Sequence, residues 1–68
     1  MMPTGQVKWF DKKKGYGFVD HEGQDVFIHH SEMVDDKFKP ENQEFISFEV
    51  IPGEKGLRAK NIKKIKTG

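Results

Sequence analysis

The sequence predicts an all-β fold, a small closed barrel of five antiparallel strands with one short helical turn. Apolar residues recur with period two in several short runs, turn-forming residues separate those runs, and no stretch keeps the 3.6-residue period of a helix. Closure follows from size. A barrel removes the unpaired strand edges that would otherwise invite aggregation, and 68 residues suffice for one domain, 1–68.

Gln6-Val7-Lys8-Trp9-Phe10 reads as the first strand, with Thr4-Gly5 as punctuation before it. Asp11-Lys12-Lys13-Lys14-Gly15 is a short basic connection, and Tyr16 to Asp20 the second strand. After a turn at residues 21–24, Asp25-Val26-Phe27-Ile28-His29 alternates strictly, the pattern of a half-buried strand. Ser31 is expected to cap one helical turn, Glu32-Met33-Val34, that puts Met33 under the sheet. Residues 35–42 form a polar loop that carries one isolated aromatic, Phe38. Phe45 to Ile51 alternates again. Pro52-Gly53-Glu54-Lys55-Gly56 turns the chain into a last strand, Leu57 to Ile65, whose apolar positions change phase once, as a bulged strand would.

Apolar residues make up only 34% of the chain, so where they cluster is informative. The absence of cysteine excludes a disulfide framework, a thiolate metal site and a cysteine nucleophile. The first residues lack a basic segment followed by an apolar run, and no segment reaches the roughly 20 apolar residues of a membrane span. A cytoplasmic location is expected. Net charge is +1, but its distribution is uneven. Lys8, Lys12, Lys13 and Lys14 surround the first connection, and Lys55, Arg58, Lys60, Lys63, Lys64 and Lys66 crowd the end. Between them, Asp20 to Glu54 carries ten carboxylates against two lysines. Charge alone leaves two readings, a basic face that meets a polyanion and an ordinary solvated surface.

The direction of the aromatic side chains is the more telling question. Val7, Val19, Val26, Ile28, Met33, Ile46, Phe48, Val50 and Ile62 already supply a compact interior. If Val26 and Ile28 point inward, Phe27 points outward between Asp25 and His29. The same parity turns Tyr16 and Phe18 outward, opposite Gly17 and Val19. An exposed aromatic cluster marks a binding surface. Rings beside a basic rim suit a single-stranded nucleic acid, whose bases stack on aromatics whatever their sequence. The glycines before Tyr16 and Phe18 are expected to keep the backbone low, so that bases lie flat on those rings.

Lys14-Gly15-Tyr16-Gly17-Phe18-Val19 matches the first six positions of the RNP1 consensus, with its final aromatic replaced by His21. An RNA-recognition motif needs two helices and a longer chain. Together with Gly5-Gln6-Val7-Lys8-Trp9-Phe10 and Asp25-Val26-Phe27-Ile28-His29, the pattern resembles the bacterial cold-shock proteins over about residues 5–65. That resemblance implies an OB-fold barrel that binds single-stranded RNA and DNA with low sequence specificity. It also implies an RNA-chaperone role, with possible targets in transcription or translation during cold shock. By matching position, Lys8, Trp9, Tyr16, Phe18, Phe27, His29, His30 and Phe38 look like the family's binding surface, with Lys14 and Asp25 beside them. Tyr16 and His30 stand where phenylalanine is usual, Asp11 where asparagine is, and Leu57 where proline is. Asp35-Asp36 make a usually glycine-rich loop acidic. Stacking on His30 is therefore expected to be weaker and to depend on pH near neutrality.

Other chemistries fit poorly. His29 and Asp25 share a face, but neither a nucleophile nor an enclosing pocket accompanies them, so no catalytic site is expected. Adjacent strand residues point to opposite faces, so His29 and His30 are not expected to share a metal. No phosphate-binding glycine loop is present, and neither a cofactor nor a small-molecule substrate is expected. The chain is expected to be a monomer. The remaining alternative is a barrel that docks extended peptides on its aromatics, which leaves the basic connection unexplained.

Overall fold

The computed structural model describes residues 3–65. Lys66, one of the terminal basic residues, lies outside the described residues. Five strands, β1 (Thr4–Asp11), β2 (Tyr16–His21), β3 (Gln24–His29), β4 (Phe45–Gly53) and β5 (Gly56–Lys64), close into a barrel in the order β1-β2-β3-β5-β4. Four ladders are antiparallel, three of them between strands joined by hairpins and the fourth between β1 and β4. The seam between β3 and β5 runs parallel, with Phe27 opposite Arg58. No helix among the described residues is long and apolar enough to cross a membrane.

The core holds Val7, Phe10, Val19, Val26, Ile28, Met33, Ile46, Phe48, Ala59 and Ile62, each no more than 7% exposed. Val50, assigned to the core by alternation, is only partly buried and packs against its edge. Phe10 and Ala59 are additions that simple alternation misses. The reason for Phe10 is a bulge: Val7 pairs with Val19, but Trp9 pairs with Phe18, so β1 has one more residue than β2 across this step. Lys8 and Trp9 both stay outside, and the inward positions become Val7 and Phe10.

Gly17 makes that bulge possible. A Cβ built on it would fall 2.1 Å from the Trp9 carbonyl oxygen and 2.8 Å from the Phe10 Cα, so β1 crosses where any other residue would project. A second bulge sets the phase of β5. Ser47 pairs with Lys63 but Glu49 with Lys60, and Asn61 takes the extra position at a φ of 53°. Its side-chain amide donates to the Glu49 carboxylate, and Ala59 and Ile62 both reach the core. The expected change of phase in the last strand is thus a bulge.

After β3 the chain makes a 3₁₀ turn at His30–Glu32, two residues earlier than Ser31 capping predicts. The cap is His29, whose Nδ1 accepts from the Ser31 N–H at 3.2 Å and from the Ser31 hydroxyl at 2.8 Å. An imidazole reaches this position because β3 delivers it extended. Met33 ends the turn, is buried and bridges to Ile62, so it does lie under the sheet.

The loop before β4 is tied down. The Asn42 side-chain oxygen accepts the Phe10 N–H at 3.0 Å, Gln43 N–H donates to the Val7 carbonyl at 2.7 Å, and Val7 N–H donates to the Glu44 carbonyl at 2.8 Å. Pro40 is fully buried.

Two substitutions test this account by urea denaturation. Phe10→Ala should cost about 3–5 kcal/mol, most of the stability of a domain this small. Gly17→Ala should cost about 1–3 kcal/mol, because β1 has to lift away from the new methyl group. A loss below about 1 kcal/mol in both would mean that the bulge is not packed as described.

Candidate nucleic-acid interface

Three neighbouring strands place four rings on one outer face. Register puts Trp9 beside Phe18 and Phe18 beside Phe27, while Tyr16 sits between Asp11 and His29. Ring centroids are 5.7 Å apart for Trp9 and Phe18, 5.6 Å for Phe18 and Phe27, 5.8 Å for Trp9 and Tyr16, and 6.1 Å for Tyr16 and Phe27. The planes meet at 57° to 74°, so these rings contact one another by their edges and none stacks on another. Such edge contacts hold the set in place at roughly 0.5–1.5 kcal/mol each. Tyr16, Phe18 and Phe27 are half-buried and Trp9 is 41% exposed, on a chain with a complete core without them.

His29 and His30 continue the face. His29 tilts toward Phe27 at 6.2 Å, and its Nδ1 is committed to Ser31. The alternation rule for adjacent residues fails here. His30 leaves the strand for the 3₁₀ turn, and its ring comes to 4.4 Å from that of His29. Gly15 accommodates it: at a φ of 76°, a Cβ on Gly15 would lie 2.5 Å from the His30 ring. The glycines thus serve packing between elements. Gly17 faces inward toward β1 and Gly15 lies against His30, which corrects the expectation that they lower the backbone beneath bases.

Phe38 stands apart from the other rings. It is half-buried against the core, its N–H donates to the Asp35 carbonyl at 2.9 Å, and it shares a groove with His30, Lys14 and Lys39. It is a loop anchor with one side open. Lys14 is exposed at the β1–β2 turn that walls the same groove.

Lys8 and Asp25 are brought together. The ammonium donates to the Asp25 carboxylate at 2.9 Å, joining β1 to β3 across β2. The hydrogen bond to Asp25, and then its charge, raise the Lys8 pKa above the ordinary 10.5. Lys8 therefore stays cationic throughout the neutral range. The pair's contribution to folding is present below pH 10.5 and is lost only as pH rises through the raised value. Both groups are about half exposed, so that contribution is small.

Sequence reasoning missed several supports. Asp11 accepts the backbone N–H groups of Lys13 and Lys14, each at 2.9 Å, and so shapes the basic turn; an Asx turn is a recognisable signal for it. Lys12 is paired with Glu41 across the basic turn. A further groove runs from Phe18 and Phe27 to Lys55, Leu57 and Arg58 on the β4–β5 hairpin. Only the β3–β5 seam brings those residues beside Phe27.

Comparison with known proteins agrees with this geometry. The "Cold-shock" DNA-binding domain model matches residues 3–65. The cold shock-like protein CspE of Bacillus anthracis is 50% identical over 68 residues, covering 96% of this chain and 100% of the relative. Cold shock protein CspB of Bacillus caldolyticus is 45% identical over 67 residues, covering 94% and 100%. Among solved structures, drosophila Unr CSD456 superimposes with a TM-score of 0.78 at 23% identity, over 100% of this chain and 28% of that one, a likeness of fold alone. With a family model spanning every described residue and relatives matched end to end, the chain belongs to the cold-shock DNA-binding domain family and is a nucleic-acid-binding protein, not an enzyme.

Proposed function

We propose that this chain binds single-stranded RNA and DNA with low sequence specificity and acts in the cytoplasm as an RNA chaperone. The observation that carries the reading is the continuous outer face of Trp9, Tyr16, Phe18, Phe27, His29 and His30, which the barrel does not need for its core. From Trp9 to His29 its 5.6–6.2 Å ring spacing is within reach of an extended strand, which stretches to about twice the 3.4 Å duplex rise. Bases stack on the rings, Phe38 receives the strand at the end near His30, and Lys8 and Lys14 meet phosphates. Asp25 orients Lys8 and offers a carboxylate to base edges beside Phe27.

Chaperone action follows from the energetics. The sequence carries no nucleotide triphosphate motif, so strand opening draws on binding energy alone. Stacking worth roughly 1–3 kcal/mol per base favours the unpaired form yet permits release when few bases are engaged. One chain, 1–68, carries the whole face, so a monomer suffices.

Three measurements test the reading. Trp9 fluorescence should be quenched on titration with oligothymidylate at low salt; an unchanged signal contradicts base stacking at Trp9. Phe27→Ala should weaken binding by about 1–3 kcal/mol. Its folding stability should fall by no more than about 3 kcal/mol, the upper value of its two ring contacts, with Tyr16 and Phe18. A larger loss of stability would mean the ring belongs to the core. Lys8→Ala should lower the slope of log affinity against log salt by about 0.7, the counterion share of one phosphate on a single strand. An identical slope removes Lys8 from the phosphate contacts.

A further inference from the structure

Phe38 borders two grooves. One faces His30 and the basic β1–β2 turn and belongs to the interface already described. The other is lined by Val34, Asp35, Phe38, Ile62, Lys63 and Lys64. Val34 is 57% exposed, an unusual position for an aliphatic side chain on so polar a surface, and its N–H is fixed to the Ile62 carbonyl at 2.9 Å. The groove is therefore built on the β5 backbone rather than on a loose loop.

Charge decides what fits there. Lys63 and Lys64 are exposed, and neither takes part in an ion pair among the described residues. Lys12 and Lys8, by contrast, are both paired. Asp35 is the acidic member of the groove, and one of its carboxylate oxygens accepts the Lys37 N–H at 3.0 Å. Two free cations beside an exposed aliphatic side chain and the edge of an aromatic ring suit a base and its flanking phosphates.

We propose that the nucleic-acid path continues past Phe38, across Val34 and onto Lys63 and Lys64 of β5, so that this chain engages a longer strand than its aromatic face alone would hold. The inference rests on the single-strand reading above. Phe38 then acts as the corner over which the strand turns from stacking on rings to phosphate contact. The basic end of the chain gains a role that its sequence position does not reveal.

The test compares oligothymidylates of about four and about ten nucleotides, within the range that one OB-fold covers. They are titrated against the unaltered protein and the Lys63→Ala/Lys64→Ala double variant at several salt concentrations. The double variant should bind the short strand as the unaltered protein does. It should bind the longer strand several-fold more weakly, with a salt slope smaller by about 1.4, the share of two phosphates. Val34→Glu, which alters an exposed position, should likewise weaken only the longer strand. Equal affinities and slopes for the longer strand in unaltered and variant proteins would overturn the extension while leaving the aromatic interface intact. Failure of the unaltered protein to bind either strand would instead overturn the single-strand reading, and the extension with it.

Discussion

The crossing of β1 over Gly17 is the contact on which the binding face depends. Without a side chain at residue 17, the Trp9 carbonyl can occupy the space that a Cβ would need. The extra residue that β1 then accommodates sends Val7 and Phe10 inward and leaves Lys8 and Trp9 together outside. A regular strand would have alternated, placing Trp9 and Val7 on one side. The same irregularity thus fills the core with Phe10 and sets Trp9 beside Tyr16 and Phe18.

Stability and the candidate binding face draw on different residues of the same strands. Core side chains such as Val19, Val26 and Ile28 are fully buried, and the outward members of the same strands hold one another by edge contacts alone. Those rings contribute modestly to folding and remain available to a ligand. Hydrogen bonds reinforce the division: Asn42 takes the Phe10 N–H, Asp11 takes two N–H groups of the basic turn, and Ser31 holds His29. The bonds of Asp11 and Ser31 position surface residues, and that of Asn42 fixes the backbone of the core residue Phe10.

Much of this was legible in the sequence, because period-two alternation has only two phases. Val26 and Ile28 fixed the direction of Phe27, and the surplus of apolar residues elsewhere fixed that of Tyr16 and Phe18. What alternation misses lies where the period breaks. Phe10 enters the core, and Ile62 returns to it after Ala59, through bulges, whose extra residue is set by the partner strand and not by local propensity. His30 joins His29 because the chain changes from strand to turn between them. The grooves at Arg58 and at Lys63 arise from contacts between elements distant in sequence, β3 with β5 and Met33 with Ile62, which no local pattern announces.

One strand layer divides into an inner face that stabilises the barrel and an outer face proposed to meet bases. Chemical-shift mapping with an oligothymidylate addresses both faces in one titration. Base stacking should shift the ring protons of Trp9, Tyr16, Phe18, Phe27 and His29 strongly upfield, while the methyl groups of Val7, Val26, Ile28 and Ile46 stay nearly unmoved. Large shifts among those buried methyls, with the outer rings unaffected, would contradict the account.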